Sequence, residues 1–337
     1  MATAIKPTRV FTSEQLSAYR QMGDPPADEA ITTIAADGRD ALGTLMKWLA
    51  DNQDFTLDNQ PPVVGQFFAD YAHLPAWADA KRMQRGMAFF QKHMGVIGLA
   101  LGTYSLPYTY LGANGVQLLW LTERIRTDTA RRLQETGEWV FAVNDPKHWK
   151  TARAIQYTLK IRLIHAAARW FAYHSGRWDD AWGVPVCQED MVGTIGSFSY
   201  IVLRGLRKMG IAMTGQEEED YMHHINVVGY VNGVTEAITP QNLREAFHLD
   251  KLMVARQFRT SEAGRGLTKA LLDTIGTLAG PSGNAEAARN LAAAQMRFFL
   301  GNDHADALGI PDVPAETRLM SIVSRLPVFP KLIPAIV

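Results

Sequence analysis

The stretch KIRLIHAAARW, residues 160–170, decides the fold class of this chain. It lies in the middle of a helical pattern that extends from residue 148 to residue 175, and His165 has apolar neighbours within it. Arg169 follows the histidine by about one helical turn. The pattern predicts a long helix. It leaves two interpretations of His165: a core residue satisfied by hydrogen bonds, or a residue that holds a ligand.

Helical patterning continues on both sides of this stretch. Residues 82–94, RMQRGMAFFQKHM, place Met83, Met87, Phe90 and Met94 at steps of four, three and four, which is one face of a helix. No convincing run of period-two alternation appears, so we predict an all-α fold. Helices are predicted over residues 12–22, 25–37, 61–72, 75–94, 115–143, 148–175, 188–209, 216–232, 240–259, 261–279 and 284–300.

Capping signals mark several helix ends. Thr214 and Glu217 have the spacing of a capping box, and Thr239 is predicted as an N-cap before Pro240. The glycines that stand where helices are expected to end are Gly210, Gly280 and Gly301.

Length and composition predict a globular protein, long enough for one large domain or two ordinary ones and able to bury a sizeable core. The chain has 337 residues, 47% of them hydrophobic, and 34 basic residues balance 34 acidic ones, so no basic surface for nucleic acid is expected. The single cysteine, Cys187, excludes a disulfide framework and zinc sites built on paired cysteines, and it fits a reducing compartment. The N-terminal residues show neither the apolar core of an export signal nor a twin arginine, so we expect a cytoplasmic location.

One uncharged segment has the length of a membrane span. Residues 95–122 contain no charged residue, but Pro107, Gly102, Gly112, Gly115 and several Tyr, Thr and Ser interrupt the apolar sequence. A buried pair of helices is therefore the prediction here. No linker rich in Pro, Gly or Ser divides the chain, so we predict one domain over residues 1–337, with residues 1–60 as an outer helical layer.

The other histidines give little support to a site built on several metal ligands. The chain has nine histidines but neither an H-E-x-x-H nor an H-x-x-x-H motif. His223 and His224 are adjacent, so on a helix their side chains diverge by about 100° and cannot chelate one ion together. Those expected to be structural are His93, His148, His174, His248 and His304.

His165 differs from these because of its neighbours in sequence. Arg162 and Arg169 lie three residues before it and four after it, and residues 166–168 are all alanine. A flat macrocycle on a helix needs this combination: an imidazole for its metal, small side chains, and a cation for a propionate. The alternative is a buried histidine between two solvated arginines.

A second segment carries polar residues on one helix face. In TARRLQETGEWV, residues 129–140, Arg132, Glu135 and Thr136 are spaced i, i+3 and i+4. These three residues can form a solvated ion-pair stripe, or they can be the polar groups of a pocket.

These segments and several others resemble one family. Arg132-x-x-x-Thr136 on one helix is followed by RLIHAAAR on the next. The further matching stretches are LPAWADAKRMQRG (74–86), QEDMVGTIGSFSYIVLRGLRKMGI (188–211), INVVGYVNGVTEAITP (225–240) and AAQMRFFLGNDHADALGIP (293–311). In this order and spacing they resemble the latex clearing proteins, which are bacterial rubber oxygenases, and a related fungal oxygenase that shortens a farnesyl chain.

The resemblance implies a haem b protein with a globin-like helical core and additional packed helices. The position of the proximal haem ligand falls on His165, the only metal ligand implied. The residues that match the family's other cofactor-binding positions are Arg169 and Arg297 for the propionates, and Thr194 in the GTxxxFS helix. The resemblance places the haem-binding oxygenase core in residues 61–311 and a C-terminal tail in residues 312–337.

The distal side departs from the family pattern at one position. The family's Arg-x-x-Lys-Thr aligns with Arg132, Glu135 and Thr136, so a carboxylate stands where the rubber oxygenases have a lysine that can coordinate iron. Glu135 then becomes either a candidate general base or the ion-pair partner of a neighbouring arginine. The change also places the family's closed state, and rubber as the substrate, in question.

Three functions remain open at this point. The first is a haem-dependent oxygenase that uses O2 to cleave a C=C bond of an apolar small-molecule or polyisoprenoid substrate, with Arg132, Glu135 and Thr136 as catalytic residues. The second is a haem protein with a peroxidase-like or sensing role, and the third is a metal-free helical protein that binds lipid. The apolar residues 325–337 are expected to cover a groove or to contact a lipid surface, and a monomer is favoured.

Overall fold

The computed structural model describes residues 8–122, 128–278 and 285–323, with side chains described as far as residue 318. The first eight helices are α1 (Ser13–Arg20), α2 (Pro25–Ala36), α3 (Arg39–Ala50), α4 (Pro62–Tyr71), α5 (Ala80–Ala100), α6 (Leu106–Tyr110), α7 (Val116–Leu121) and α8 (Thr129–Val143). The next five are α9 (Pro146–Lys150), α10 (Arg153–His174), α11 (Gln188–Phe198), α12 (Tyr200–Lys208) and α13 (Gly215–Val231). The last five are α14 (Leu243–Gln257), α15 (Glu262–Leu278), α16 (Ala285–Leu300), α17 (Asn302–Ala307) and α18 (Pro314–Val323).

The all-α prediction is confirmed. Within the described ranges there is no β-strand, only one isolated antiparallel bridge between Gly112 and Phe258. The long helix predicted around His165 is α10. The capping box is present as well: the Thr214 side chain accepts a hydrogen bond from the Glu217 backbone, and the Glu217 side chain accepts one from Thr214.

Several predicted boundaries are wrong. Helix α3 was not predicted, and the predicted helix 188–209 is two helices that break at Ser199, where φ is −113° and ψ is −81°. Thr239 does not cap a helix, because its hydroxyl donates to the Thr235 carbonyl. Asn242 is the N-cap of α14 instead. Residues 123–127 inside the predicted helix 115–143, and Gly280, lie outside the described residues.

The apolar face predicted for α5 ends one turn early. Met83, Met87 and Phe90 are buried, but Met94 is 45% exposed. His93 has non-helical backbone angles (φ −114°, ψ 15°), and this kink rotates Met94 away from the face. At Gly86, α5 touches α13 closely: a Cβ there would lie 2.7 Å from the Asp220 carbonyl oxygen, so a larger residue could not be accommodated.

Two apolar cores meet at α10. The larger core is built from α5–α8 and α11–α17, and Tyr157 of α10 belongs to it. The second core lies between α2, α3 and α4, and it includes Leu159, Leu163 and Ala167 of α10. Helix α10 therefore buries residues on nearly all sides, as its sequence predicts, and it holds the outer helices against the rest of the molecule.

The uncharged segment 95–122 is more irregular than a pair of helices. It forms the end of α5, a π-helical turn at Leu101–Ser105, then α6 and α7. Its Tyr104 and Tyr108 are buried in the larger core. None of the helices in the described part of the chain is both long and apolar enough to cross a membrane.

Candidate functional site

Helices α8 and α10 pack against each other, and two side-chain contacts join them. The Trp139 indole N–H donates to the Thr158 hydroxyl at 3.1 Å, and the Tyr157 hydroxyl donates to the Glu135 carbonyl at 3.5 Å. The charge of Arg132 also reaches across to His165, where it contributes to lowering the pKa of the histidine. Arg132 of α8 and His165 of α10 therefore lie near each other on facing sides of the two helices.

His165 stays uncharged at neutral pH. We call the partly accessible space around it, between α8 and α10, the crevice. The His165 side chain remains partly accessible although protein surrounds it deeply. Burial, with smaller contributions from the charges of Arg169 and Arg132, lowers the pKa of His165 to about 3. The Nδ1 atom is buried and has no hydrogen-bond partner among the described residues. A neutral imidazole with its hydrogen-bonding capacity unused is the form that can ligate a metal.

The alanines beside His165 have a packing role. Ala166 and Ala167 are buried in the second core. Their small size lets α2 lie close to α10, and only Ala168 remains partly accessible on the helix. The alanine triplet is therefore explained in large part by contacts between helices.

The two arginines that flank His165 are not solvated. Arg162 makes two hydrogen bonds to the Asp24 carboxylate, at 2.6 and 2.9 Å. Arg169 donates from Nε to Asp28 at 2.6 Å and from Nη1 to the Val186 carbonyl at 3.1 Å. The Nη2 atom of Arg169 is buried without a partner. Arg162 thus donates to Asp24 through two of its nitrogens, Nε and Nη2, whereas the Nη2 of Arg169 is an unused donor.

Arg132, Glu135 and Thr136 share one face of α8. The two carboxylate oxygens of Glu135 accept hydrogen bonds from different arginines: Oε1 from Arg131 at 3.0 Å and Oε2 from Arg132 at 2.9 Å. The Thr136 hydroxyl donates to the Arg132 carbonyl at 2.9 Å. The Glu135 side chain is 23% exposed, so the ion-pair alternative has the geometry it requires.

The other two predicted cofactor-binding residues lie apart from this group. Thr194 is exposed, and its hydroxyl donates to the Asp190 carbonyl at 2.8 Å. The Arg297 guanidinium pairs with Asp306 at 2.5 and 2.8 Å. No hydrogen bond or ion pair in the described part of the chain joins either residue to His165.

Sequence reasoning missed the carboxylates that hold the arginines. Asp24 and Asp28 are spaced i, i+4 on α2 and its N-cap, and they lie 138 and 141 residues from Arg162 and Arg169. No local pattern connects residues so far apart.

The two buried histidines of α13, His223 and His224, form hydrogen bonds that stabilise the fold. His223 accepts a hydrogen bond from the Asp79 backbone at 3.0 Å, and the His224 ring pairs with the Val143 carbonyl at 2.9 Å. Among the described residues, no group of three or more His, Cys, Asp or Glu could hold a metal ion.

The chain belongs to the family described as ER-bound oxygenase mpaB/B'/rubber oxygenase, catalytic domain, which matches residues 93–329. The matched range contains all seven predicted site residues. Five of them are on α8 and α10, and the other two are Thr194 and Arg297. The protein is therefore a member of an oxygenase family.

Two relatives support this assignment. The rubber oxygenase of Streptomyces sp. (strain K30) is 24% identical over 305 residues, which cover 88% of this chain and 73% of the relative. A solved structure of the latex clearing protein LCP in the closed state superposes with a TM-score of 0.73 at 21% sequence identity, over 93% of this chain and 83% of the other. The second likeness shows that the all-α fold is shared.

Proposed function

We propose that the protein is a haem b-dependent oxygenase that cleaves a C=C bond of an apolar, unsaturated, isoprenoid-like molecule with O2. Each alkene carbon would receive one oxygen atom, so that one C=C bond and one O2 give two carbonyl groups. The observation that carries the proposal is the neutral His165, unpartnered in a crevice opposite Arg132, in a chain that belongs to an oxygenase family.

The residues around His165 suit a haem better than a bare metal ion. A bare ion needs several protein ligands, and the described residues bring no such group together. A haem needs one axial histidine and cations at its edge. His165 would hold the haem iron, and the unused Nη2 of Arg169 would donate to a propionate. When bound, the haem would supply the redox chemistry that activates O2.

Arg297 and Thr194 are weaker parts of this proposal. Arg297 is the proposed partner of a second propionate, but its guanidinium would have to share or leave Asp306 to reach one. Thr194 would contact the cofactor through an exposed hydroxyl that donates to Asp190. Both roles rest on the resemblance and on no contact described above.

The face of α8 would act on the opposite side of the crevice. Arg132 holds a positive charge opposite His165, and Glu135 fixes the orientation of that guanidinium through Oε2. Because both Glu135 oxygens already accept hydrogen bonds from arginines, the geometry favours the ion-pair role over the general base. The Thr136 hydroxyl keeps its lone pairs available to accept a hydrogen bond at the site.

The proposed substrate class rests on two considerations. The named relative is a rubber oxygenase, so its substrate is a polyisoprene. At position 135 this chain has a carboxylate that is tied to two arginines. From the relative we propose the reaction, which is cleavage of an alkene in an isoprenoid-like chain. Because position 135 differs from the rubber oxygenases, we do not carry over rubber itself, and we propose that this protein's crevice sets the length of the chain that is cleaved.

Product analysis under labelled oxygen tests this function. The purified holoprotein would be incubated with farnesyl, geranylgeranyl and polyisoprene substrates under ¹⁸O2. The products would be reduced at once to alcohols, before their carbonyl oxygen exchanges with water. We expect one ¹⁸O atom at each cleaved carbon, and no cleavage products when His165 is replaced by alanine. Products that carry no label, or no cleavage of any of these alkenes, would count against the proposal.

A further inference from the structure

The guanidinium of Arg169 is enclosed by residues from two other parts of the chain. Its Nε atom donates to Oδ1 of Asp28 at 2.6 Å, and its Nη1 atom donates to the Val186 carbonyl at 3.1 Å. The side chain is only 3% exposed, and its Nη2 atom has no partner among the described residues. A buried donor without a partner is costly, so Nη2 requires an acceptor that none of the described residues supplies.

Asp28 is itself held in place by the start of α2. Its Oδ2 atom accepts a hydrogen bond from the Asp24 backbone N–H at 3.0 Å, while Oδ1 accepts from Arg169. Both oxygens of the carboxylate are therefore engaged as acceptors. An asparagine could accept at only one of the two positions, because its other terminal group is a donor.

Gly23 makes the close approach of these two side chains possible. A Cβ atom at this position would lie 2.8 Å from Oδ2 of Asp28 and 3.2 Å from Cδ of Arg169. The φ angle of Gly23 is not in the left-handed region, so its backbone conformation does not require a glycine. The lack of space beside Asp28 and Arg169 does.

Val186 has a strained backbone at the point where it contacts Arg169. Its φ angle is 49°, in a region that β-branched residues rarely adopt. The same segment is fixed to the N-terminal part of the chain, since the Gln188 backbone N–H donates to the Met22 carbonyl at 2.8 Å. Strain of this kind persists only where the surrounding structure enforces it, and it is concentrated at functional sites.

We call Gly23, Asp28 and Val186 the arginine socket. We propose that these three are positioning residues, which hold Nε and Nη1 of Arg169 so that Nη2 is the nitrogen presented to a haem propionate. The inference rests on the proposed function, because it needs the haem. It also goes beyond that function: Gly23 and Asp28 lie outside residues 93–329, which the oxygenase family matches, so the outer helical layer would contribute to haem retention.

Two variants disturb the arginine socket and leave Arg169 in the chain. Gly23→Ala adds a methyl group that must displace Asp28 or Arg169. Asp28→Asn keeps the size of the side chain but loses one of its two accepted hydrogen bonds, and it serves as the second variant in case Gly23→Ala does not fold. Gly43→Ala is the matched control, because it adds the same methyl group to α3, where no atom lies within 4 Å.

The measurement is the rate at which each holoprotein loses its cofactor to excess apomyoglobin, followed by absorption. It is made once with haem b and once with haem dimethyl ester, whose propionates are esterified and uncharged. We expect both socket variants to lose haem b several-fold faster than the wild type, and Gly43→Ala to behave as the wild type. With the ester all four proteins should have similar rates, because an esterified propionate cannot form the charge-assisted hydrogen bond to Arg169.

The two cofactors separate a positioning role from a purely structural one. If the socket variants lose both cofactors faster by the same factor, the socket only stabilises the fold and the proposal is overturned. Unchanged rates of haem b loss in both variants would overturn it as well. A wild type that binds no haem would contradict the proposed function, and the socket proposal with it. A selective effect on haem b in a protein that cleaves no alkene would support the socket and contradict only the proposed reaction.

Discussion

By the resemblance described above, residue 135 corresponds to a lysine of the rubber oxygenases, and this chain has a carboxylate there. Its two oxygens accept hydrogen bonds from Arg131 and Arg132. The carboxylate thereby sets the position of a guanidinium that lies opposite His165. By that resemblance, the change would replace a group that can bind iron by a group that orients a cation.

The role of Glu135 can be tested by Glu135→Gln. We expect turnover to change by no more than a few-fold and stability to fall by about 0–1 kcal/mol, because a partly exposed ion pair contributes little. Glu138→Gln is the matched control, since Glu138 lies one turn further along α8 and accepts from Gln134 and Asn52. A loss of turnover of about 10²–10⁴-fold with the haem retained would show instead that Glu135 is a general base.

His224 predicts how stability depends on pH. The ring is fully buried, and burial lowers its pKa from 6.5 to about 3. Between these values the unfolded state binds a proton that the folded state does not, so stability is lost as the pH falls below about 6.5. Over this pH range, one such ring makes the free energy of unfolding fall by about 1.4 kcal/mol for each pH unit of acidification.

His224→Gln should reduce the slope of the free energy of unfolding against pH by about 1.4 kcal/mol per pH unit. A glutamine amide can still donate to the Val143 carbonyl but does not titrate. Urea unfolding of both proteins at pH 7, 6 and 5 gives the two slopes. Equal slopes for wild type and variant would mean that His224 titrates normally in the folded protein.

At the scale of elements, two ion pairs join α2 and its N-cap to α10, and the Arg162–Asp24 pair is buried. Arg162 and Asp24 have side-chain exposures of 9% and 3%. The Arg162 guanidinium also lies 4.5 Å from the Tyr71 ring centroid, which adds a cation–π contact. The proposed haem-binding helix is therefore fixed from the N-terminal side of the chain.

Removal of one partner from this pair should destabilise the protein strongly. Asp24→Asn leaves a buried guanidinium without its counter-charge, and we expect a loss of about 3–5 kcal/mol in the free energy of unfolding. Asp273→Asn is the control, because Asp273 pairs with Lys269 and Arg289 at the surface, where the loss should be about 0–1 kcal/mol. Urea denaturation of the two variants compares them directly, and similar losses would show that the Arg162–Asp24 pair is not energetically distinct.

The helices that sequence reasoning found, and the ones it missed, differ for physical reasons. Helix α10 was predictable because its apolar pattern is long and unbroken. Helix α3 was missed although Leu42, Leu45 and Leu49 recur at helical spacing and are buried, so the signal was present in the sequence. The kink at His93 has no such signal, because it depends on how α5 packs within the whole fold.

The candidate site, like the fold, was predictable only where a local pattern in the sequence indicates it. Arg132 and His165 follow from two local helical patterns. The partners of Arg162 and Arg169 do not, because Asp24 and Asp28 approach only when the second core forms. Long-range contacts of this kind leave no trace in a single local window.

In the whole molecule, α10 separates the two apolar cores and carries His165 in the crevice that it forms with α8. The outer helices α2–α4 cover one side of it, and α13 and α8 lie on the other. This placement gives a rigid helix, held by buried ion pairs, for the one residue on which the proposed function depends. The central claim is that His165 binds haem.

The most direct test is the haem content and absorption spectrum of the purified protein and of His165→Ala. His174→Ala is the matched control, because His174 lies on the same helix but is exposed. We predict one non-covalent haem b per chain in the wild type and in His174→Ala, and loss of most of the haem in His165→Ala, with all three proteins folded by circular dichroism. A His165→Ala protein that keeps full haem occupancy and an unchanged spectrum would contradict the claim.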